Sequence, residues 1–161
     1  MSKHLRFRSF SIASAFLSVA LLSASPGFSR EADFGVRGGV YADEDQAFLG
    51  AEALFNMTDS RRWFGNPNLE HVFLDAGDLT SVSFDFHYDF PSGSPYTFWA
   101  GAGPTLIHSD RNSPALHDGT DAGVNLLFGV GAKKGNVRPY GQVKAVLADD
   151  DQVVFGVGVR F

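Results

Sequence analysis

The stretch Thr80–Phe90, TSVSFDFHYDF, decides the fold. Val82, Phe84, Phe86, Tyr88 and Phe90 fall on one side of an extended chain, and Ser81, Ser83, Asp85, His87 and Asp89 on the other. Successive side chains of a strand point to opposite faces, so this is a strand with one apolar and one polar face. The C-terminus repeats the pattern, with Val153, Phe155, Val157, Val159 and Phe161 against Gln152, Val154, Gly156, Gly158 and Arg160. Asp121–Lys133 does the same, with Ala122, Val124, Leu126, Phe128, Val130 and Ala132 on its apolar side.

Fainter alternation fills the chain outward from these three. Phe34–Tyr41, Ala47–Met57, Tyr96–Ile107 and Pro139–Leu147 each read as a strand, and Leu69–Asp75, short and apolar on both faces, as an eighth. Turn residues separate them: Asp43-Glu44-Asp45, Thr58–Asn68 with its Gly65-Asn66-Pro67-Asn68, Asp75–Asp78, Pro91–Pro95, Ser109–Thr120, Lys134-Gly135-Asn136 and Asp149–Asp151. No helical segment is left to make a parallel crossover, so the expected fold is all-β, an eight-stranded antiparallel up-and-down barrel.

Period 2 alone does not say which face of a barrel is apolar. A soluble carrier hides its apolar side chains in a cavity, whereas a membrane barrel presents them to lipid and packs a polar interior. The polar face here is mostly Gly, Ser, Asn and Gln with about one charge per strand: Arg37, Glu52, Asp85, Lys133, Lys144 and Arg160. A solvent face would be thick with Lys and Glu; a narrow lumen needs small side chains and a few charges that pair. Strands of roughly 9–11 residues, the length that crosses a bilayer at a tilt, use most of the chain. Tyr88, Phe90, Tyr96, Phe98 and Trp99, with Phe34, Phe55 and Phe161, collect at the rim that holds both termini, as an interfacial girdle does. The connections divide by charge. The far rim carries Asp43, Glu44, Asp45, Asp75, Asp78, Asp110, Asp118 and Asp149–Asp151, and the near-terminus turns carry Arg61, Arg62 and Lys134.

The first residues differ from the rest. Lys3, His4, Arg6 and Arg8 precede an uncharged run, Ser9–Ala24, and then Ser25-Pro26-Gly27-Phe28-Ser29. This is the pattern of a secretory signal peptide over residues 1–29, with the barrel domain over 30–161; the run is too short and too rich in serine for a spanning helix. Loss of the leader removes three basic side chains and no acidic one, taking the formal charge from −5 to −8, with 10 basic against 18 acidic side chains. The chain has no Cys, which excludes disulfide scaffolds and thiolate metal sites, and its acidity argues against a nucleic-acid partner.

Together these residues resemble the small outer-membrane β-barrel proteins of Gram-negative bacteria, the OmpA-like or porin-like eight-stranded class. Gly123–Phe161 is similar to the last two hairpins of such domains. The resemblance implies an outer-membrane location, contact with outer-membrane lipid and lipopolysaccharide, a monomer, and a C-terminal strand read by the barrel-assembly machinery. Val153, Phe155, Val157, Val159 and Phe161 are the positions matching that assembly signal. A secreted soluble barrel binding a small apolar ligand is the alternative.

Candidate chemistry is sparse. Lipid-modifying outer-membrane barrels use His and Ser, but His108 and Ser109 are adjacent in a strand and so point to opposite faces. His87 and Asp85 share the polar face at i and i+2, and two ligands do not make a metal site. The acidic hairpin tips lack the spacing of a Ca²⁺ loop. No catalytic residue, cofactor or metal is therefore expected, and Arg37, Glu52, Asp85, His87, Lys144 and Arg160 are assigned to an interior polar network with a structural role.

Overall fold

A computed structural model of the chain describes residues 32–43, 45–74, 77–111 and 119–161, without the side chains of 74, 77, 110 and 111. The leader assigned to residues 1–29 lies outside these, as do Glu44, Asp75 and Asp118. Eight strands follow one another: β1 (Ala32–Tyr41), β2 (Gln46–Asn56), β3 (Trp63–Leu74), β4 (Gly77–Asp89), β5 (Tyr96–Arg111), β6 (Gly119–Ala132), β7 (Arg138–Leu147) and β8 (Gln152–Arg160). Each pairs antiparallel with its neighbour in sequence, and β1 pairs with β8 from Gly35↔Arg160 to Tyr41↔Val154, so the sheet is a closed barrel without an edge. Closure removes the unpaired backbone groups that hydrocarbon cannot solvate.

The alternation read from the sequence sorts side chains as expected. In β4, Ser81 and Ser83 are 2% and 3% exposed and face the lumen, while Val82 between them is 47% exposed. Phe34, Leu49, Phe86, Leu106, Phe128, Phe155 and Val157 are likewise exposed on the outer surface.

Two strands differ most from the sequence expectation, the other bounds moving by one to three residues. The third strand is not Leu69–Asp75 but Trp63–Leu74, twelve residues, and the supposed turn Gly65-Asn66-Pro67-Asn68 lies inside it. Pro67 has no N–H for the ladder to β2, and the β2–β3 pairing skips this level, between Glu52↔Asn68 and Phe55↔Gly65. The Asn66 side-chain amide donates instead to the Ala53 carbonyl at 3.0 Å, so the acceptor opposite the proline keeps a partner. Gly65 faces outward and is covered by the Phe55 ring, 2.6 Å from where its Cβ would stand. The fifth strand also runs past Ile107 to Arg111.

The interior is layered. At the far end Tyr41, Phe48, Val72, Val146 and Val154 form an apolar cluster, joined by Leu79, Ile107 and Ala148. Near the termini Trp99, Leu127 and Tyr140 form a second. The charged side chains lie between them, so the lumen is less uniformly polar than its sequence suggests.

Inward glycines make this filling possible. Trp99 is paired with Gly129, and a Cβ on that glycine would approach the indole ring to 2.2 Å. Tyr140 is paired with Gly158, where a Cβ would approach the phenol ring to 2.6 Å. Outward Gly141 has open space instead, its nearest atom 4.0 Å away. Gly129→Ala is therefore expected to destabilise the refolded barrel by about 1–3 kcal/mol through overpacking. Gly141→Ala should stay within about 0.5 kcal/mol. Urea unfolding midpoints in detergent micelles compare the two.

Candidate functional site in the barrel lumen

Six charged side chains are buried in the lumen among the described residues: Arg37 (β1), Glu52 (β2), Glu70 (β3), Asp85 (β4), Lys144 (β7) and Arg160 (β8). Three are cations and three are carboxylates, so the layer is electrically balanced. Burying one charge without a partner costs several kcal/mol; here Arg37, Lys144 and Arg160 pair with Glu52 and Glu70, and Asp85 is held by two side-chain amides.

Glu70 is the hub. Its carboxylate accepts hydrogen bonds from the Arg37 guanidinium, from Lys144 Nζ at 2.7 Å, from Tyr41 Oη at 2.8 Å and from Ser81 Oγ at 3.5 Å. Glu52 is the second centre, accepting from Arg160 Nε at 2.7 Å, Asn66 Nδ2 at 3.1 Å and Arg37 Nη1 at 3.4 Å. Asn68 links the two halves: its oxygen accepts from Arg37 Nη2 at 3.1 Å and its amide donates to Asp85 Oδ2 at 2.9 Å. Asn125 Nδ2 donates to Asp85 Oδ1, also at 2.9 Å.

The sheet register explains why these groups meet. Gly35 of β1 is the cross-strand partner of both Glu52 and Arg160, so the two flank a residue with no side chain and reach each other over it. Gly50 of β2 is flanked in the same way by Arg37 and Glu70. Gly129 of β6 is flanked by Trp99 and Gln142, and the indole Nε1 donates to Gln142 Oε1 at 3.3 Å. The guanidinium of Arg160 then lies over the Tyr140 ring, 4.2 Å from its centroid, and within 5.1 Å of that of Trp99. This cation–π contact fastens the charged layer to the lower aromatic cluster.

Of the sequence-assigned residues, Arg37, Glu52, Asp85, Lys144 and Arg160 come together in one network. His87 is buried below it and does not meet Asp85. Its ring packs between Phe64 and Trp99, with centroids 5.5 and 5.6 Å away, and its Nε2 is 3.7 Å from Asp89 Oδ1, beyond hydrogen-bond reach. Lys133, placed on the lumen face by its parity, is instead exposed in the turn beyond β6, where its Nζ donates to the Ser92 carbonyl. Glu70 was missed, because reading Leu69–Asp75 as apolar on both faces passed over it. The parity of Asn66, Asn68, Glu70 and Val72, all buried, was the signal available.

Little space remains. A cavity of about 10 Å³, lined by Arg37, Phe48, Glu70, Tyr140 and Lys144 among others, has room for about one water. His108 and Ser109 lie on opposite faces of β5, and His108 Nδ1 is 2.9 Å from Thr120 Oγ1. No group of three metal-ligating side chains occurs among the described residues.

No family model matches the chain, and no curated protein sequence is similar to it. Solved structures are. The N-terminal β-barrel domain of Pseudomonas aeruginosa OprF superposes with a TM-score of 0.67 at 18% identity, covering 81% of this chain and 95% of that one. The fold is that of the small outer-membrane β-barrels. Neisserial surface protein A gives 0.60 at 18% identity over 80% of this chain and 92% of its own. Ail, the attachment invasion locus protein of Yersinia pestis, gives 0.56 at 12% identity over 82% and 99%.

Glu70→Gln removes the buried counter-charge of Lys144 and the nearer of the two that face Arg37, leaving Arg37 only its 3.4 Å contact to Glu52. It should cost about 3–5 kcal/mol, and Glu70→Gln with Lys144→Gln should recover part of that loss by restoring neutrality. Arg138→Gln breaks only the 2.5 Å pair with Asp33 at the half-exposed rim, worth about 1 kcal/mol or less. Guanidinium unfolding of the four proteins checks the ranking.

Proposed function

We propose that the chain is an integral outer-membrane β-barrel with a closed lumen and a non-catalytic role in envelope architecture or surface interaction. The observation that carries this is the reversal of polarity: apolar side chains cover the outside, while paired charges fill the inside. A soluble carrier of an apolar ligand needs the opposite arrangement, and a lumen holding Glu70, Lys144 and a 10 Å³ cavity has no place for such a ligand.

Export through the leader at residues 1–29 accounts for the basic start and the uncharged run after it. Recognition of Val153, Phe155, Val157, Val159 and Phe161 by the barrel-assembly machinery fits their placement on the outer face of β8, where Phe155, Val157 and Phe161 are exposed. Once inserted, the barrel contacts outer-membrane lipid and lipopolysaccharide as a monomer. Two of the similar structures are those of a surface protein and of an attachment invasion locus protein, which supports a surface-interaction role for the acidic far rim.

Fractionation of expressing Gram-negative cells tests the reading. The protein is expected in the outer-membrane fraction, migrating on gels at different positions with and without boiling. Recovery from the soluble periplasm, with one mobility, would contradict it.

A further inference from the structure

Resting on the membrane reading, we propose that the rim beside the termini is a docking surface for anionic phospholipid headgroups. Three successive turns build it. Arg61 and Arg62 lie in the β2–β3 turn, and Lys133 and Lys134 in the β6–β7 turn, all four exposed. The β4–β5 turn between them ties both into one arc: Asp89 N donates to the Arg62 carbonyl at 2.8 Å, Lys133 N to the Pro95 carbonyl at 3.0 Å, and Lys133 Nζ to the Ser92 carbonyl. Asp59 and Asp89 are the carboxylates of this arc against four cations, so it keeps a net positive charge.

Its height on the barrel selects the partner. The cations sit next to the aromatic girdle, where Trp63, Phe90, Tyr96 and Phe98 are exposed on the outer face. The Trp63 ring lies 5.2 Å from that of Tyr88, which lies 5.6 Å from that of Phe90. Arg62 Nη1 donates to Tyr88 Oη at 3.3 Å, which holds a guanidinium at the polar edge of the girdle. Aromatic belts mark the headgroup level of a bilayer, and Lys and Arg just beyond them face lipid phosphates. The opposite rim has the opposite sign, with exposed Asp43, Asp45, Asp78 and Asp149–Asp151. Charge complementarity therefore assigns the anionic leaflet to the terminus side and disfavours it at the far side.

The test compares the full chain with Arg61→Gln/Arg62→Gln/Lys133→Gln/Lys134→Gln, each refolded into vesicles of phosphatidylcholine alone or with phosphatidylglycerol. Thermal unfolding is read by the gel-mobility shift. With phosphatidylglycerol the unsubstituted protein should melt about 5 °C above the variant at low salt, and the gap should close in 1 M NaCl, where charges are screened within about 3 Å. In phosphatidylcholine alone the two should coincide.

The Lys133 and Arg62 side chains also make contacts within the protein, so Arg61→Gln/Lys134→Gln is measured beside the fourfold variant and should show the same lipid dependence at reduced size. A gap of equal size in both lipids would show that the four side chains act only in packing, and no gap in either would also overturn the proposal. Failure to insert into either vesicle would count against the membrane reading instead.

Discussion

In the middle of the lumen, pairs of charged side chains meet across glycines, and the rest of the structure is arranged around that contact. Glu52 and Arg160 join over Gly35, and Arg37 and Glu70 over Gly50. A Cβ on Gly35 would approach Glu52 Oε1 to 2.9 Å, and one on Gly50 would crowd both Glu70 and Arg37 at 3.2–3.3 Å. Eight strands enclose too little space for long side chains at every inward position, so large and absent side chains alternate around the wall. The apolar clusters at either end keep water away from the charged layer. That desolvation makes the pairing obligatory, since a carboxylate such as Glu70 is stable there only with Arg37 and Lys144 against it.

The same constraint accounts for a barrel rich in Gly and Phe at low charge, where 12 of the chain's 16 Phe lie beyond residue 29. Glycine is needed inside, where it lets neighbours meet. Phenylalanine is used mostly outside, where it is exposed and suits hydrocarbon. What would be a polar, solvated surface in a soluble protein is here confined to the turns, basic at one rim and acidic at the other.

Much of this was legible because the two faces differ so sharply in chemistry. Thr80–Phe90 could be sorted residue by residue, and Arg37 and Glu52, brought together by one short hairpin, were natural partners. The third strand was hidden by local signals that tertiary structure overrides: Gly65, Asn66 and Pro67 spell a turn, yet the Phe55 ring covers the glycine and the Asn66 amide serves the carbonyl facing the proline. Losing that strand meant losing Glu70, the hub. Its bond to Lys144 spans 74 residues of sequence and depends on the barrel closing, which no local pattern encodes. Lys133 erred the other way, because its strand ends one residue earlier and the turn carries it outward.

The account stands on two claims, that the apolar face is the outer one and that the lumen is shut to water. Ser83 and Val82 are neighbours on opposite faces of β4, and the chain has no native Cys. Thiol labelling of Ser83→Cys and Val82→Cys in barrels refolded into vesicles tests both at once. The predicted result is that a membrane-soluble maleimide modifies Val82→Cys rapidly, while a charged, water-soluble reagent leaves Ser83→Cys unmodified until the protein is denatured. Rapid labelling of Ser83→Cys by the water-soluble reagent, or protection of Val82→Cys from the membrane-soluble one, would contradict the account.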